Sequence, residues 1–394
     1  MPRIGLSMLM GDPVKYFGLI LGVAFTAFLG TFAASYACGI ATRSFALIDE
    51  NPWAEVWVTD PAVASVEQTQ AMSDSALRRV RSVDGVSWAV PLCVGSETLE
   101  FADGRFQPVQ IIGVDRATLI GAPRRAGGAS IASLRQPDGA LVAAGGTHGK
   151  LNTPALATDR WVGPRLDAPR RELEAGDEVM VNDHRVFIAG RVTANPRYPP
   201  RPLLYMTYDN AQRVLPVERR RMTFVLVRAR RGTDPVELAR RITRETGLSA
   251  KSSHQFRVAT VWWFLSTSED VGDMATMLWI AVLVGLGSTG VLLLMFARDN
   301  LKYYALFLTI GARPRTLRLM VLVQAGTCGV LGTAIGLGAC AAAGTSVASA
   351  GFPFRMLWFT PIVGGVLVAV TTTAGAIVGL RPAFRIDPGM VFTQ

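Results

Sequence analysis

The chain has 394 residues, half of them hydrophobic, with 40 Lys+Arg against 30 Asp+Glu and four cysteines. A mean hydropathy of +0.30 points to a membrane protein, and the gathering of the apolar residues into long uncharged runs supports it. The formal net charge of +10 does not mark a nucleic-acid binder, because the stretch 42–273 is close to neutral and most of the excess flanks the apolar segments, where positive charge gathers on the cytoplasmic side.

In chain order, residues 1–15 read as a cytoplasmic N-terminus carrying Arg3 and Lys15. Residues 16–41 are uncharged for longer than the ~20 residues a hydrocarbon core requires. Ala34-Ser35-Tyr36-Ala37-Cys38 resembles a small-residue cleavage site, but the apolar run is too long for a signal peptide and reads as an uncleaved anchor.

Residues 42–273 have ordinary globular composition and predict a large mixed α/β extracytoplasmic domain. Residues 55–59 alternate as a strand after Asn51-Pro52. Ser73 or Asp74 caps a helix with Ala76, Val80 and Val83 on one face, ended by Asp84-Gly85. Separate strands are expected at 86–90, 97–101 and 109–114. The Gly/Ala/Arg/Pro-rich stretch 121–149 lacks a period and reads as a long loop or a subdomain connection. Residues 177–181 and 185–192 form a hairpin turning at Asn182-Asp183, 195–202 is a stiff proline arm, and 224–229 is a strand. Asp234-Pro235 opens a helix carrying Leu238 and Ile242, and Gly247 stops it. From Arg257 the pattern stays helical without a breaker to Ala297. One helix over 257–297 would be ~60 Å long, enough to leave the membrane as a stalk.

Further spans are predicted at 274–297, 319–345 and 356–380, joined by a loop at 298–318 and a short outer loop at 346–355, with a tail at 381–394. Arg298, Lys302, Arg313, Arg315 and Arg318 lie in the first of these connections, Arg381 and Arg385 follow the last span, and Arg355 stands alone between the third and fourth. Both termini and the 298–318 loop are therefore expected in the cytoplasm, with 42–273 outside. Gly18 and Gly22, Gly332 and Gly336, and Gly375 and Gly379 have the small-xxx-small spacing of close helix packing. The fold class is an α+β membrane protein: four transmembrane helices with the mixed domain inserted between the first and second.

Chemistry is sparse. His148, His184 and His254 are scattered without a second ligand at helical spacing, so no metal site is expected. Gly145-Gly146-Thr147-His148-Gly149-Lys150 imitates a phosphate loop, but Ala144 takes its first glycine position and Leu151 its Ser/Thr position. Cys38, Cys328 and Cys340 fall in apolar spans and Cys93 is alone in the large domain, which gives no disulfide framework there. No ionisable residue sits inside a span, which argues against a transporter with a midplane ion site. An enzyme is not expected.

Several segments carry a family likeness: ALIDENPWAEVWVTDP after the first span, LRRVRSVDGVSWAVP, VQIIGVDRATLIGAP, GDEVMVNDHRVFIAGRV, TFVLVRARRGTDPVELARRITRETG and, most strongly, DNLKYYALFLTIGARPRTLRLMVLVQA. Together they resemble the FtsX-like permease superfamily of macrolide-exporter and lipoprotein-release systems, closest to its separate-subunit heterocyst-glycolipid-exporter type.

The resemblance implies a permease subunit that couples ATP hydrolysis by a separate cytoplasmic ABC ATPase dimer to movement of its periplasmic domain, for export of a lipid-like substrate. It makes Asn300, Lys302, Tyr303, Tyr304, Leu306, Phe307, Gly311, Ala312, Arg313 and Arg315 a coupling helix that docks on the ATPase. ATP and Mg would belong to that partner, no cofactor to this chain. A second permease copy as a homodimer, a periplasmic membrane-fusion adaptor and an outer-membrane duct are the other implied partners, in a bacterial inner membrane. The alternative is a regulator that pulls on a periplasmic cell-wall hydrolase and transports nothing. The chain ends soon after Arg385, so the ATPase is expected on another polypeptide.

Overall fold

Long apolar runs and half-buried alternation occupy different parts of the sequence, and the chain divides along that line. The computed structural model describes residues 13–123, 125–126, 130–154, 169–216, 222–299 and 314–380. Met1–Ile40 and Ser268–Gln394 make one unit, and Ala41–Thr267 the other.

The elements run α1 (Pro13–Ser44), α2 (Ala46–Glu50), β1 (Val56–Thr59), α3 (Ser75–Arg81), β2 (Val86–Glu100), β3 (Phe106–Val114), β4 (Arg125–Ala126), a 3₁₀ turn (Ile131–Arg135), β5 (Gly139–Ala143), β6 (Asn152–Pro154) and β7 (Arg170–Glu172). There follow β8 (Glu178–Val181), β9 (His184–Thr193), β10 (Leu203–Thr207), α4 (Tyr208–Val214), β11 (Phe224–Ala229), α5 (Pro235–Thr246), β12 (Ser249–Ser252), α6 (Ser253–Thr267), α7 (Asp270–Asp299), α8 (Pro314–Ser349) and α9 (Thr360–Leu380). Among the described residues, α1, α7, α8 and α9 are long and apolar enough to cross a membrane. The protein is an α+β membrane protein with a sheet-rich domain inserted between its first two spans.

The inserted domain is organised by β2. Its first half pairs with β11, whose other neighbour is β1, and β12 forms the edge. Its second half pairs with β3 and, at Leu99 and Glu100, with β8. From β3 the order runs through β10, β5 and β9 to β8, which closes the ring back on β2. One strand thus belongs to an open sheet and to a six-stranded closed one. At the crossover, Thr223 acts as a splice: Val94 N–H donates to its Oγ1 at 2.8 Å, and that hydroxyl donates to Leu92 O at 3.0 Å.

Three apolar clusters fill the domain. The ring encloses Leu99, Val109, Ile111, Val142, Val179, Val186, Ile188 and Leu204, plugged by Val214 of α4 and the following Leu215. The open sheet packs Val56, Val58, Val225 and Val227 on Val80 of α3 and Leu238 and Ile242 of α5. On its other face Trp57, Phe224 and Phe256 form an aromatic knot, with ring centroids 5.7, 5.8 and 6.1 Å apart. Such pairs add about 0.5–1.5 kcal/mol each beyond the area they bury.

Several expectations meet the structure at residue level. α5 has Asp234 as N-cap, accepting from Val236 N–H, Pro235 at its first position and Gly247 left-handed at its end. The hairpin turns at Asn182 and Asp183, both at positive φ (49° and 60°), the backbone a tight primed turn requires. Three expectations need correction. The strands drawn at 86–90 and 97–101 are one strand, because Pro91 sits opposite Val225 with its neighbours in register and only removes a donor, a bulge in the ladder lying further along at Arg228/Ala229. The stretch 121–149 is not one loop: β5 lies inside it, buried along its whole length between β10 and β9.

The single helix expected over 257–297 is interrupted at 268–269, dividing α6 from α7. Ser268 restarts the helix: its Oγ accepts from Asp270 N–H at 3.3 Å, while Val271 and Gly272 N–H turn back to Ser268 O and Glu269 O. A Ser/Thr run competes for backbone hydrogen bonds and favours a cap over a helix interior. Asp270 and Asp273 in the new first turn suit the positive end of its dipole. At 1.5 Å per residue, α6 and α7 are about 22 and 45 Å long, two rods rather than one of ~60 Å.

Gly247 offers a clean check of the backbone argument. Its φ is +69° and no atom lies within 4 Å of the Cβ a substitution would add. Gly247→Ala should cost about 1 kcal/mol through the left-handed backbone alone, and Gly247→Asn less. Chemical denaturation of the two variants beside wild type measures the difference.

Candidate functional site

In the inserted domain, the segments nearest in sequence to the first and second spans are both tied into the same core. Glu50 closes α2 and is buried. Its Oε2 accepts from Arg197 Nη2 at 2.6 Å and from Tyr205 Oη at 3.0 Å, and its Oε1 accepts from Asn195 N–H at 2.7 Å. Arg197 is held in turn by its own N–H, which donates to Gly145 O at 3.0 Å. The proline arm at 195–202 thus delivers an arginine into the interior, while β10 supplies the tyrosine.

Beside this triad, Arg201 Nη2 donates to Glu67 Oε2, so a second ion pair fastens the same arm. Burial pushes the Glu67 carboxyl above the usual range, with Arg201 and Arg197 pulling it back in part. Burial also drives the Tyr205 phenol upward, against the opposing pull of Arg197. Tyr205 is therefore a neutral donor to Glu50 at any physiological pH.

α6 is fastened from the other side of the core. Phe256 enters the aromatic knot, Thr260 Oγ1 accepts from Val66 N–H at 3.3 Å, and Phe264 meets Tyr198 edge-on at 5.9 Å. Arg257 Nη2 reaches Asp49 Oδ1 at 2.7 Å and its guanidinium lies over the Phe45 ring, which joins α6 to α2 directly. The two ion pairs differ in weight. Asp49 and Arg257 are about 40% exposed, and an exposed pair is worth at most ~1 kcal/mol. Glu50 and Arg197 are about 5% exposed, so losing one partner strands a buried charge at ~3–5 kcal/mol, though replacing both can be neutral.

In the membrane unit the glycines mark where helices touch. A Cβ built on Gly332 would lie 2.7 Å from Val23 of α1, and one on Gly336 would meet Ala24 O and Ala27 Cβ. Gly22 faces Ser288 of α7 and Gly18 faces Leu292, while Gly375 of α9 sits against Gly290 and Thr289 of α7. Gly364 abuts Thr31. α1 is thus contacted by all three other spans. Gly379 falls in α9, and its surroundings are outside the described residues. The connection from α8 to α9 folds over the end of α1: Phe352 stacks on Tyr36 at 4.7 Å and Arg355 N–H donates to Ser35 O at 3.1 Å.

Of the expected coupling helix, Asn300, Lys302, Tyr303, Tyr304, Leu306, Phe307, Gly311, Ala312 and Arg313 lie outside the described residues, and Arg315 falls in the first turn of α8. The sequence reading missed Glu50, Arg197 and Tyr205. The available signal was an acid at the end of the apolar run Ala46-Leu47-Ile48 and two arginines inside a proline arm. Among the described residues no group of His, Cys, Asp and Glu could hold a metal. These contacts are the chemistry of a clamp.

Residues 275–388 match the FtsX-like permease C-terminal domain family. That match takes in α7 from Ala275 onward, residues 300–313, α8 and α9. No curated protein matches the chain. Among solved structures, the chain is similar to the extracellular domain of the noncanonic ABC-type transporter YknZ from Gram-positive bacteria, at 11% identity and a TM-score of 0.32, over 50% of this chain and 98% of that one. It is also similar to the periplasmic region of MacB from Actinobacillus actinomycetemcomitans, at 10% identity and a TM-score of 0.34, over 56% and 98%.

Two outcomes follow from the packing. Arg197→Met should lower stability by about 3–5 kcal/mol, and Glu50→Met/Arg197→Met should recover most of that loss; denaturant titration of the full chain in detergent gives both values. In α8, Gly336 is buried against α1, whereas Gly338 has no atom within 4 Å of its would-be Cβ. Gly336→Val should cost about 1–3 kcal/mol by overpacking and Gly338→Val almost nothing, read from thermal melting in detergent.

Proposed function

We propose that the chain is the permease subunit of an ABC-type export system, driven by a separate ATPase and acting on a lipid-like or amphipathic substrate. The observation that carries this reading is the match of 275–388 to the FtsX-like permease C-terminal family, which brackets the basic connection between the second and third spans. The domain inserted between the first two spans supports it, as does the absence of ionisable residues from the apolar runs. In this reading Asn300 to Arg315 is the coupling segment, ATP and Mg belong to the partner, and two copies of the chain work together in an inner membrane with both termini in the cytoplasm. A periplasmic adaptor and an outer-membrane duct complete the route.

The clamp gives the reading a mechanical form. Movement imposed at the coupling segment enters the inserted domain through two chain crossings, at 40–41 and 267–268. α2 follows one crossing and α6 precedes the other. Because both are fixed to a common core through Glu50, Asp49 and Phe256, relative motion of the first two spans would reorient the inserted domain as a rigid body. The interruption at 268–269 replaces the single-rod stalk with two rods and a joint.

The test is affinity capture of the full chain from membranes of its own cells. An ATPase polypeptide should accompany it, and Lys302→Glu/Arg313→Glu/Arg315→Glu should release that partner while the chain stays in the membrane. If no nucleotide-hydrolysing partner is recovered, the reading fails. Recovery of a hydrolase bound to the inserted domain, with no cargo moved, would favour the regulator instead.

A further inference from the structure

Two of the spans measure the same boundary. In sequence, the uncharged part of α1 starts at Tyr16, directly after Lys15, and α9 ends at Leu380, directly before Arg381. At 1.5 Å per residue, Tyr16 to Ser35 is about 30 Å of helix and Thr360 to Leu380 about 32 Å, each close to the thickness of a hydrocarbon core. The far ends of these two lengths meet, because Ser35 Oγ donates to Thr360 Oγ1 at 3.2 Å. A carboxylate stands beside them: Asp270 Oδ1 accepts from Tyr36 Oη at 3.4 Å. The hydrocarbon therefore ends at the level of Ser35 and Thr360, on the side where α1 leads into the inserted domain. The polar layer beyond it is about 5–7 Å deep.

The connection from α8 to α9 lies at this level and has two sides. Toward the bundle, Phe352 stacks on Tyr36 and Phe354 packs on Phe32, with ring centroids 4.7 and 5.3 Å apart. Two glycines make room for it. A Cβ on Gly39 would lie 1.9 Å from Pro353 O, and one on Gly344 would lie 2.1 Å from the Phe354 ring. The other side is uncovered: Trp358 is 82% exposed and Phe359 37%. Arg355 is exposed too. Its backbone N–H is bonded to Ser35 O, which sets its height, while its guanidinium is in no ion pair among the described residues.

For a surface arginine of a soluble domain such exposure would leave the occupant open. Here span length supplies it. A residue tied to Ser35 stands where the polar layer begins, and lipid phosphates lie within that layer. Tryptophan is favoured at the same depth, where its ring meets apolar chains and its N–H meets polar groups. An arginine there keeps its stem along apolar surface and presents planar donors that match phosphate oxygens.

We infer that residues 352–359 are a lipid anchor in the leaflet on the inserted-domain side, with Arg355 holding a phospholipid phosphate and Trp358 set among the ester groups beneath it. Because the connection is clasped to α1 at Ser35, Tyr36 and Gly39, the bound lipid fixes the height at which α1 leaves the bilayer. The anchor does not depend on what the chain transports, or on whether it transports anything.

The experiment places the full chain in phosphatidylglycerol vesicles with a trace of one of two photoreactive phospholipids, carrying the reactive group in the headgroup or at the end of an acyl chain. Labelled peptides are then mapped by mass spectrometry. The headgroup probe should mark 355–359 about fivefold or more above the chain-end probe. Arg355→Gln should lower that marking about fivefold, the scale of losing a charge-assisted contact, Arg355→Lys by less, and Trp358→Ala about twofold. Should Arg355→Gln melt early, the smaller loss in Arg355→Lys carries the same test. Excess inorganic phosphate should not compete. Equal or stronger marking by the chain-end probe would overturn the depth, and marking unchanged in Arg355→Gln would overturn the role of the arginine. Competition by phosphate would overturn the lipid as its source. An inter-chain disulfide formed by Trp358→Cys under mild oxidation would assign this face to a second copy instead.

Discussion

A buried carboxylate has to be paired, and Glu50 is where this chain accepts that obligation. The residue ends the short helix that follows the first span, at a point where the chain passes from apolar helix to folded sheet. Its three hydrogen bonds come from the proline arm and from β10, elements far away in sequence. Hydrophobic contact alone would hold α2 somewhere against the core. The ion pair holds it in one register, because any other leaves an unpaired charge in a dry interior. Buried pairs add little net stability, and their best-attested role is this kind of specification. Asp49 then extends the same fixation to α6, so two neighbouring acids on a five-residue helix orient both ends of the inserted domain.

The membrane unit solves a different problem. Lipid gives apolar helices no hydrophobic reason to associate, so close backbone approach must do it. α1 is the hub: Gly22, Gly332, Gly336 and Gly364 all mark points where it meets another span. Of the hydroxyls at these contacts, Thr26 donates to Gly22 O and Thr371 to Leu367 O, whereas the buried hydroxyls of Thr31, Ser288 and Thr289 have no hydrogen-bond partner among the described residues. The apolar runs that form these helices carry no ionisable residue.

Legibility in the sequence followed locality. α5 was readable to the residue because cap, proline and terminal glycine all lie within fourteen positions. β11 and the hairpin at Asn182-Asp183 were readable for the same reason. β5 and β10 were not, since both are buried on both faces and show no alternation. The division between α6 and α7 was hidden because no Gly or Pro marks it, and the restart rests on a serine hydroxyl. The glycine spacings could be seen, but not which helix each one faces. The clamp was the least legible feature, because Glu50 and Arg197 are 147 residues apart and only the folded sheet brings them together.

The ring through which β2 passes has a mechanical corollary. An open sheet can yield by letting its outermost strand slide. A closed one has no outermost strand, so shear on any member must break register with two neighbours at once. β2 runs the full length from the open sheet into that closed circuit, with Thr223 riveting the crossing. A load placed on the open sheet would therefore pass along β2 into the closed circuit without any single strand slipping alone.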